Sequence, residues 1–477
     1  MMSATVKSIQ DIMRQDAGVD GDAQRISQMV WMIFLKVFDD KEKEWELENE
    51  EYQSAIPEKY RWRNWAADKE GITGDELLDF IGEMFKALKS LNASKEDDPK
   101  GFIVREVFED AYNYMKSGTL IRQVINKLNE IDFNKSEDKH LFNEVYEKIL
   151  ADLQSAGNAG EYYTPRAVTQ FIVDIINPKL GEKVLDPACG TGGFLVSTLE
   201  NMKKQITRDS DSEKLQKNIN GVEKKPLPHL LCTTNMILHG IEVPNIRHDN
   251  TLTRPLADYG PSDMVDVVVT NPPFGGTEEP GIELNFPSLY RTRETADLFL
   301  VLIMKLLREG GRCGMVLPDG FFFGEGAKTR IKEKLLSEFN LHTVVRLPNG
   351  VFNPYAGIKT NLLFFERSKP TQEISYFEHP LPEGYRSYNK TKPIRIEEFN
   401  LEKEWWNNRE SPKFKKYCWK VSIDEVRKRN YNLDINNPNS GNNEKKLSSK
   451  EIIEILETDM KENIDLLEKI RKEIRHD

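Results

Sequence analysis

Two periodicities divide this chain. From its start to about residue 150, apolar side chains recur at helical spacing in "RISQMVWMIFLKVF", "GDELLDFIGEMFKALKSL" and "LFNEVYEKILADL", with polar breaks between them. That spacing predicts an all-helical region over 1–150. From Gly181 the pattern changes to short apolar runs separated by longer helical stretches: "KVLD", "INGV", "VDVVVT", "RCGMVLP", "HTVVRLP" and "NLLFFE". Strands alternating with helices predict βαβ units, hence an α/β domain over 151–435 with a mostly parallel, doubly wound sheet. The Asn, Ser, Gly and Pro content of "NLDINNPNSGNNEKK" then reads as a flexible linker, so 436–477 is expected to be a linker and one last helix. That helix opens on "SSKE", a capping box at Ser448 to Glu451. Ile453, Leu456, Met460, Asn463, Leu467, Ile470 and Ile474 follow in alternating steps of three and four. Such a stripe either packs back on its own domain or docks another subunit, with Asn463 as a polar position that sets register.

Composition narrows the class. With 477 residues, 38% hydrophobic and 30% charged, the chain can form two or three ordinary globular domains. The apolar stretch "MVWMIFLKVF" from Met29 is too short to cross a bilayer, is broken by Lys36, and follows no basic start with a cleavage site. No membrane role and a cytoplasmic location are therefore expected. Cys189, Cys232, Cys313 and Cys418 are far apart, without a CxxC pair or matching histidines, which fits reduced thiols and no metal site. A net charge of -11 means that the chain alone is no electrostatic glove for a polyanion. A nucleic-acid role would need a local basic face or a basic partner.

Three strand ends carry candidate chemistry. In "KVLDPACGTGGFL", a strand runs into Gly190, Thr191, Gly192 and Gly193 and then into a helix. Glycines let backbone approach a ligand, and the helix start offers N–H groups and positive potential, so a nucleotide-like cofactor is implied. The spacing is GxGG, which meets neither the dinucleotide fingerprint nor the P-loop. Asp186, at the strand tip, repels a phosphate and attracts an ammonium, which favours a cofactor with an amino-acid tail; its plainer role is capping the next helix. In "NINGVEKKP", Glu223 ends the second strand and can accept both hydroxyls of a ribose, or be a solvated charge beside two lysines. In "HDNTL", Asp249 can accept from an adenine amino group, or be ordinary turn chemistry.

The fourth element is "NPPF", directly after "MVDVVVT". Two prolines cannot continue a strand, so the chain must stop after Thr270 and project Asn271 into the crevice at the strand ends. An amino group conjugated to an aromatic ring is a poor nucleophile because its lone pair is delocalised. The side-chain oxygen of Asn271 and the carbonyl of Pro272 can each take one of its hydrogens and free that lone pair for an electrophilic methyl. Pro272 and Pro273 hold the acceptors rigid, and Phe274 offers a face on which the target ring stacks.

At these residues the chain resembles N6-adenine DNA methyltransferases that use S-adenosylmethionine, and more narrowly the modification subunit of type I restriction-modification systems. "DPACGTGGF" is similar to the cofactor motif of that family and "NPPF" to its catalytic motif. "GEYYTPR", from Gly160 to Arg166, is similar to a segment that lines the methionine end of the cofactor. The resemblance extends to the helical region, to "NLDINNP" and to the last helix. It implies a Rossmann-like methyltransferase sheet with an N-terminal helical domain and a C-terminal helical tail. Cofactor contacts are implied for Glu161, Tyr162, Tyr163, Thr164, Pro165, Arg166, Asp186, Thr191, Gly192, Gly193 and Glu223, and catalysis for Asn271, Pro272 and Phe274. The family commonly has Ala where this chain has Gly192, a departure that removes only a methyl. Implied partners are double-stranded DNA, a specificity subunit that reads the sequence and meets the last helix, a second modification subunit, and a restriction subunit. A flipped adenine is required, because its amino group is out of reach inside a duplex. Two other readings compete: a glutamine methyltransferase, whose amide nitrogen is equally inert, and a catalytically silent scaffold of the restriction complex.

Overall fold

The structure, a computed structural model, describes residues 2–133, 164–353, 359–389 and 391–440. "LFNEVYEKILADL", Glu161 to Tyr163 and the whole predicted C-terminal helix with its stripe lie outside the described residues.

The N-terminal region is helical, as its periodicity predicts, with helices Met2–Met13, Asp22–Glu48, Gly74–Lys89, Pro99–Glu109 and Gly118–Leu128. Local signals set two of the starts: Asp98 accepts from Gly101 N ahead of Pro99, and Ser117 accepts from Leu120 N. The long second helix buries Trp31, Phe34 and Phe38 on its inward face. Its core does not close on itself. Leu230, Leu231, Ile237 and Leu238, from a helix Pro226–Leu238 of the following domain, belong to the same apolar cluster.

Nine strands form one sheet: β1 (Val184–Asp186), β2 (Ile219–Glu223), β3 (Asn245–His248), β4 (Val265–Thr270), β5 (Leu307–Pro318), β6 (Asn340–Arg346), β7 (Thr360–Glu366), β8 (Glu373–Glu378) and β9 (Cys418–Ser422). Their order is β3-β2-β1-β4-β5-β7-β6-β8-β9. The pairs β1–β2, β2–β3, β1–β4, β4–β5 and β6–β8 are parallel, so the sheet is mostly parallel as expected. β7 runs antiparallel between β5 and β6, and β9 antiparallel to β8. The six apolar runs are β1, β2, β4, β5, β6 and β7. β3, whose "NIRH" is half polar, and the added pair β8 and β9 carry no such run. Strand order reverses at β1, and the tips of β1, β2, β3 and β4 face the crevice where such sheets bind ligands.

The first half of the Asn-rich stretch corrects the linker reading. Leu433 and Ile435 are buried, Arg346 pairs with Asp434 at 2.6 Å and donates to Ile435 O, and Asn437 donates to Glu378 and to Lys416 O. Composition suggested mobility, yet Asp434 and Asn437 find fixed partners on Arg346, Glu378 and Lys416.

The stretch "DGFFFGEG", Asp319 to Gly326, which by sequence could be a mobile loop over the base pocket or part of the core, packs its first two phenylalanines into the core. Asp319–Phe323 is a short helix with Phe321 and Phe322 buried and only Phe323 exposed. Lys332 anchors it, buried, donating to Phe322 O at 2.8 Å and Gly324 O at 2.9 Å, and burial lowers its ammonium to about 8. Lys332→Met leaves both carbonyls without this donor and should lower stability by about 2 to 3 kcal/mol, read as a shifted urea midpoint.

Candidate active site

Four loops converge at the switch point. After β1 the chain turns through Pro187 to Gly192 and enters helix Gly193–Lys203. Gly190 and Gly192 hold φ of 53° and 85°, in the left-handed region that glycine tolerates. A methyl at position 192 would also meet Cys232 Sγ at 2.8 Å, so the absent methyl is not a neutral departure in this chain. The turn is cross-linked to its neighbours: Cys189 N donates to Val222 O, Thr251 Oγ1 donates to Pro187 O, and Gly190 N donates to Glu223 Oε2 at 2.9 Å.

Asp186 closes the floor. It is 1% exposed and accepts from Thr270 Oγ1 at 2.6 Å and from Ala188 N at 3.1 Å. Burial pushes its carboxyl up to about 7, and the negative Glu223 nearby adds to the rise, against the pull of the two donors. Glu223 is buried too, which excludes the solvated-charge alternative. Its second oxygen accepts from Lys225 N at 2.7 Å, and burial raises its pKa. Glu223 therefore shapes the glycine turn as well as facing the crevice. Asp249, exposed at the end of β3, stays on the same rim because its N–H donates to Glu223 O at 3.0 Å.

β4 ends at Thr270, as the prolines require, and Asn271 follows with Pro272 buried behind it. Asn271 Nδ2 donates to Thr164 Oγ1 at 2.9 Å, so the "YYTPR" segment and the "NPPF" turn meet directly. With the amide nitrogen engaged, Asn271 Oδ1 is buried and has no hydrogen-bond partner among the described residues. A buried amide oxygen left without a donor is costly and marks a place where an incoming donor gains a bond. Pro165 precedes helix Arg166–Ile176, and Arg166 Nη1 lies 3.4 Å from Gly193 O, tying that helix to the glycine turn. Phe274 is half-buried and meets Phe352 edge-on, with ring centroids 5.9 Å apart, which fixes its ring plane. A cavity of about 160 Å³ opens beside the turn, between Gly275, Gly276, Pro318 and Phe321.

The N-6 DNA methylase family model matches residues 137–447, and the HsdM N-terminal domain model matches residues 2–128. The chain belongs to the N-6 DNA methylase family. This methylase is 60% identical over 447 residues to the type I restriction enzyme EcoEI methylase subunit of Escherichia coli, a match that covers 92% of this chain and 91% of that protein. It is 30% identical to the type I restriction enzyme EcoKI methylase subunit of E. coli strain K12, over 73% of this chain and 64% of that protein. Among solved structures it is similar to a modification subunit of a putative type I restriction enzyme from Vibrio vulnificus YJ016. That match has a TM-score of 0.83 and 45% identity, covering 92% of this chain and 97% of the other. A chain from a structure of the type I R-M system, described for its complex assembly and conformational transition, matches with a TM-score of 0.81 and 39% identity. That second match covers 100% of this chain and 98% of the other. The methylase is thus a modification subunit of the type I kind, an N6-adenine DNA methyltransferase.

The sequence motifs single out most of this site. Thr270 escaped them, although a hydroxyl at the last strand position before the prolines is the available signal. Phe352 also escaped, because its partner in space is distant in sequence. The link between Thr164 and Asn271 joins two motifs that sequence alone leaves separate.

Proposed function

We propose that the crevice holds S-adenosylmethionine over the glycine turn and a flipped adenine over the "NPPF" turn, with Asn271 as the catalytic acceptor. The observation that carries this is the buried Oδ1 of Asn271, without a hydrogen-bond partner among the described residues, beside a turn that the prolines hold rigid. The residues fit that cofactor. A carboxylate at the floor (Asp186) suits the ammonium of its amino-acid tail, a second carboxylate (Glu223) suits a ribose, Asp249 suits an adenine amino group, and Gly190, Thr191, Gly192 and Gly193 admit close backbone approach. Thr164, Pro165 and Arg166 would line its methionine end, with Glu161, Tyr162 and Tyr163 just before them. When bound, the cofactor supplies an electrophilic methyl group.

Everything else falls to the chain's own atoms. Asn271 Oδ1 and the Pro272 carbonyl accept hydrogen bonds from the two amino hydrogens of the adenine, which localises the nitrogen lone pair. Pro272 and Pro273 keep those acceptors from relaxing, and Phe274, held by Phe352, stacks on the ring. Stacking of this kind returns roughly 1 to 3 kcal/mol of the few that base flipping costs. The neighbouring cavity is the space we assign to the rest of the base. Modified-base sequencing of genomic DNA, with wild-type and Asn271→Ala methylases, tests the assignment.

Phosphate contacts dominate DNA affinity, and a chain of net charge -11 is badly placed to supply them alone. We assign that work to a complex in the cytoplasm: a specificity subunit docked on the C-terminal helix, a second modification subunit that closes the clamp, and a restriction subunit.

The ammonium contact has a pH signature. Asp186 binds the cofactor when ionised, and its carboxyl titrates at about 7 in the free protein. Cofactor affinity should therefore rise as pH goes from 6 to 8 and then level off. The sign for folding is opposite, since a raised carboxyl favours the protonated folded state and loses that contribution as pH climbs from its ordinary value towards 7. Calorimetric titration of the Asp186→Asn variant should show weaker binding without the pH dependence; an unchanged pH profile would remove Asp186 from this role.

A further inference from the structure

Glu278 lies beyond the "NPPF" turn and outside every motif read from the sequence. It is 8% exposed, and each of its polar atoms is used. Its Oε1 accepts from Thr295 Oγ1 at 3.2 Å; Oε2 accepts from Asn250 Nδ2 at 3.2 Å and faces Lys224 Nζ at 3.4 Å. Its backbone N–H donates to Arg293 O at 2.9 Å, and its carbonyl accepts from Arg293 Nη2 at 3.0 Å. The neighbouring Glu279 also reaches Lys224, but is 77% exposed on its side chain and contributes little.

The three side-chain arms of Glu278 end on different parts of the site. Lys224 follows Glu223 at the tip of β2, and Asn250 follows Asp249 at the tip of β3, so two arms hold the strand ends assigned to the ribose and adenine of the cofactor. The third ends on Thr295, whose N–H and hydroxyl lie 3.2 and 3.1 Å from Gly276 O. Gly276 closes the catalytic turn, and Gly275 before it holds φ of 66°. Past its rigid prolines, the two glycines that follow Phe274 leave the far end of that turn with little stiffness of its own. Its restraints come from outside: the pairing of Thr277 with Glu294, and the clamp through Thr295 and Glu278.

We propose that Glu278 is a positioning residue for methyl transfer, fixing the catalytic turn in register with the strand ends that carry the cofactor. The proposal rests on the reading that the glycine-turn crevice binds S-adenosylmethionine. A glutamine can replace the carboxylate in this geometry. Its oxygen accepts from Asn250 and Lys224 while its nitrogen donates to Thr295 Oγ1, leaving the hydroxyl proton for Gly276 O. Alanine loses all three arms.

The test uses the full complex with its specificity subunit, the Glu278→Ala and Glu278→Gln variants, single-turnover methyl transfer, and calorimetry with S-adenosylmethionine. Small misplacements of reacting groups cost about 100-fold in rate, so Glu278→Ala should slow the single turnover by roughly 10- to 100-fold. It should also weaken cofactor binding about 5-fold, since the tips of β2 and β3 loosen less than the turn. Glu278→Gln should restore the rate to within about 3-fold of wild type, a rescue that loss of a merely structural charge does not give. Should the alanine variant fail to fold, Thr295→Val carries the test: slow turnover with cofactor affinity retained supports the clamp, and a wild-type rate overturns it. A wild-type rate in Glu278→Ala, or a glutamine variant as slow as alanine, also overturns it. Absence of cofactor binding to the wild-type complex would remove the underlying reading and the proposal with it, whereas normal binding with an unaltered rate removes the role of Glu278 alone.

Discussion

Asn271→Ala should give a type I complex that assembles and binds cofactor yet leaves no N6-methyladenine in the genome. The adenine amino nitrogen is planar because its lone pair is shared with the ring, and only acceptors placed in advance can draw its hydrogens out of that plane. Removing one preorganised partner of this kind costs about 10²- to 10³-fold in rate, or about 3 to 4 kcal/mol. Here the loss should sit at or above the upper end. No second side chain takes over the oxygen of Asn271: among the described residues Thr164 Oγ1 is bonded to its nitrogen, and Thr270 is committed to Asp186. Modified-base sequencing of cells carrying the native operon should show one methylated motif with the wild-type chain and none with the variant. An unchanged methylation map would overturn the assignment of Asn271.

Deleting residues from 450 onward should leave cofactor binding intact and abolish assembly with the specificity subunit. The stripe from Ile453 to Ile474 offers six apolar side chains and one asparagine at heptad spacing. Each apolar side chain buried in full is worth roughly 1.5 to 3 kcal/mol, so even after the cost of association their loss is enough to take a tight complex past micromolar affinity. The crevice and its adjoining cavity are built from residues up to Phe352, and the sheet edge that follows is closed by the Asn-rich stretch up to residue 440, so the truncation removes no described contact of the site. Co-purification of the truncated chain with its specificity subunit would sink this prediction.

The strand ends were legible because each chemical group there sits next to an unmistakable local signal. Prolines stop β4 at Thr270, glycines mark the turn after β1, and an apolar run leads into Glu223. What could not be read is whatever depends on partners far away in sequence. β3 has a half-polar strand pattern and becomes a strand through pairing with β2; "NLDINNP" has a linker's composition, yet Asp434 and Asn437 find fixed partners on β6 and β8. Glu278 is one of two adjacent glutamates, and nothing local tells the buried one from the exposed one. The choice between DNA and a protein glutamine as substrate also needed more than the site, since both present a planar nitrogen to an "NPPF" turn. The helical region decided it, with its match to the HsdM N-terminal domain over 2–128.

Helix Pro226–Leu238 has no solvent face in its middle turns: from Pro228 to Leu238 every residue is buried. One side completes the core of the helical region, and the other places Cys232 against the glycine turn. An arm transplanted from a relative would therefore inherit a mismatched joint unless Leu230, Leu231, Ile237 and Leu238 travelled with it. Compatibility at that shared wall is thus a condition that any arm grafted onto this chain has to meet.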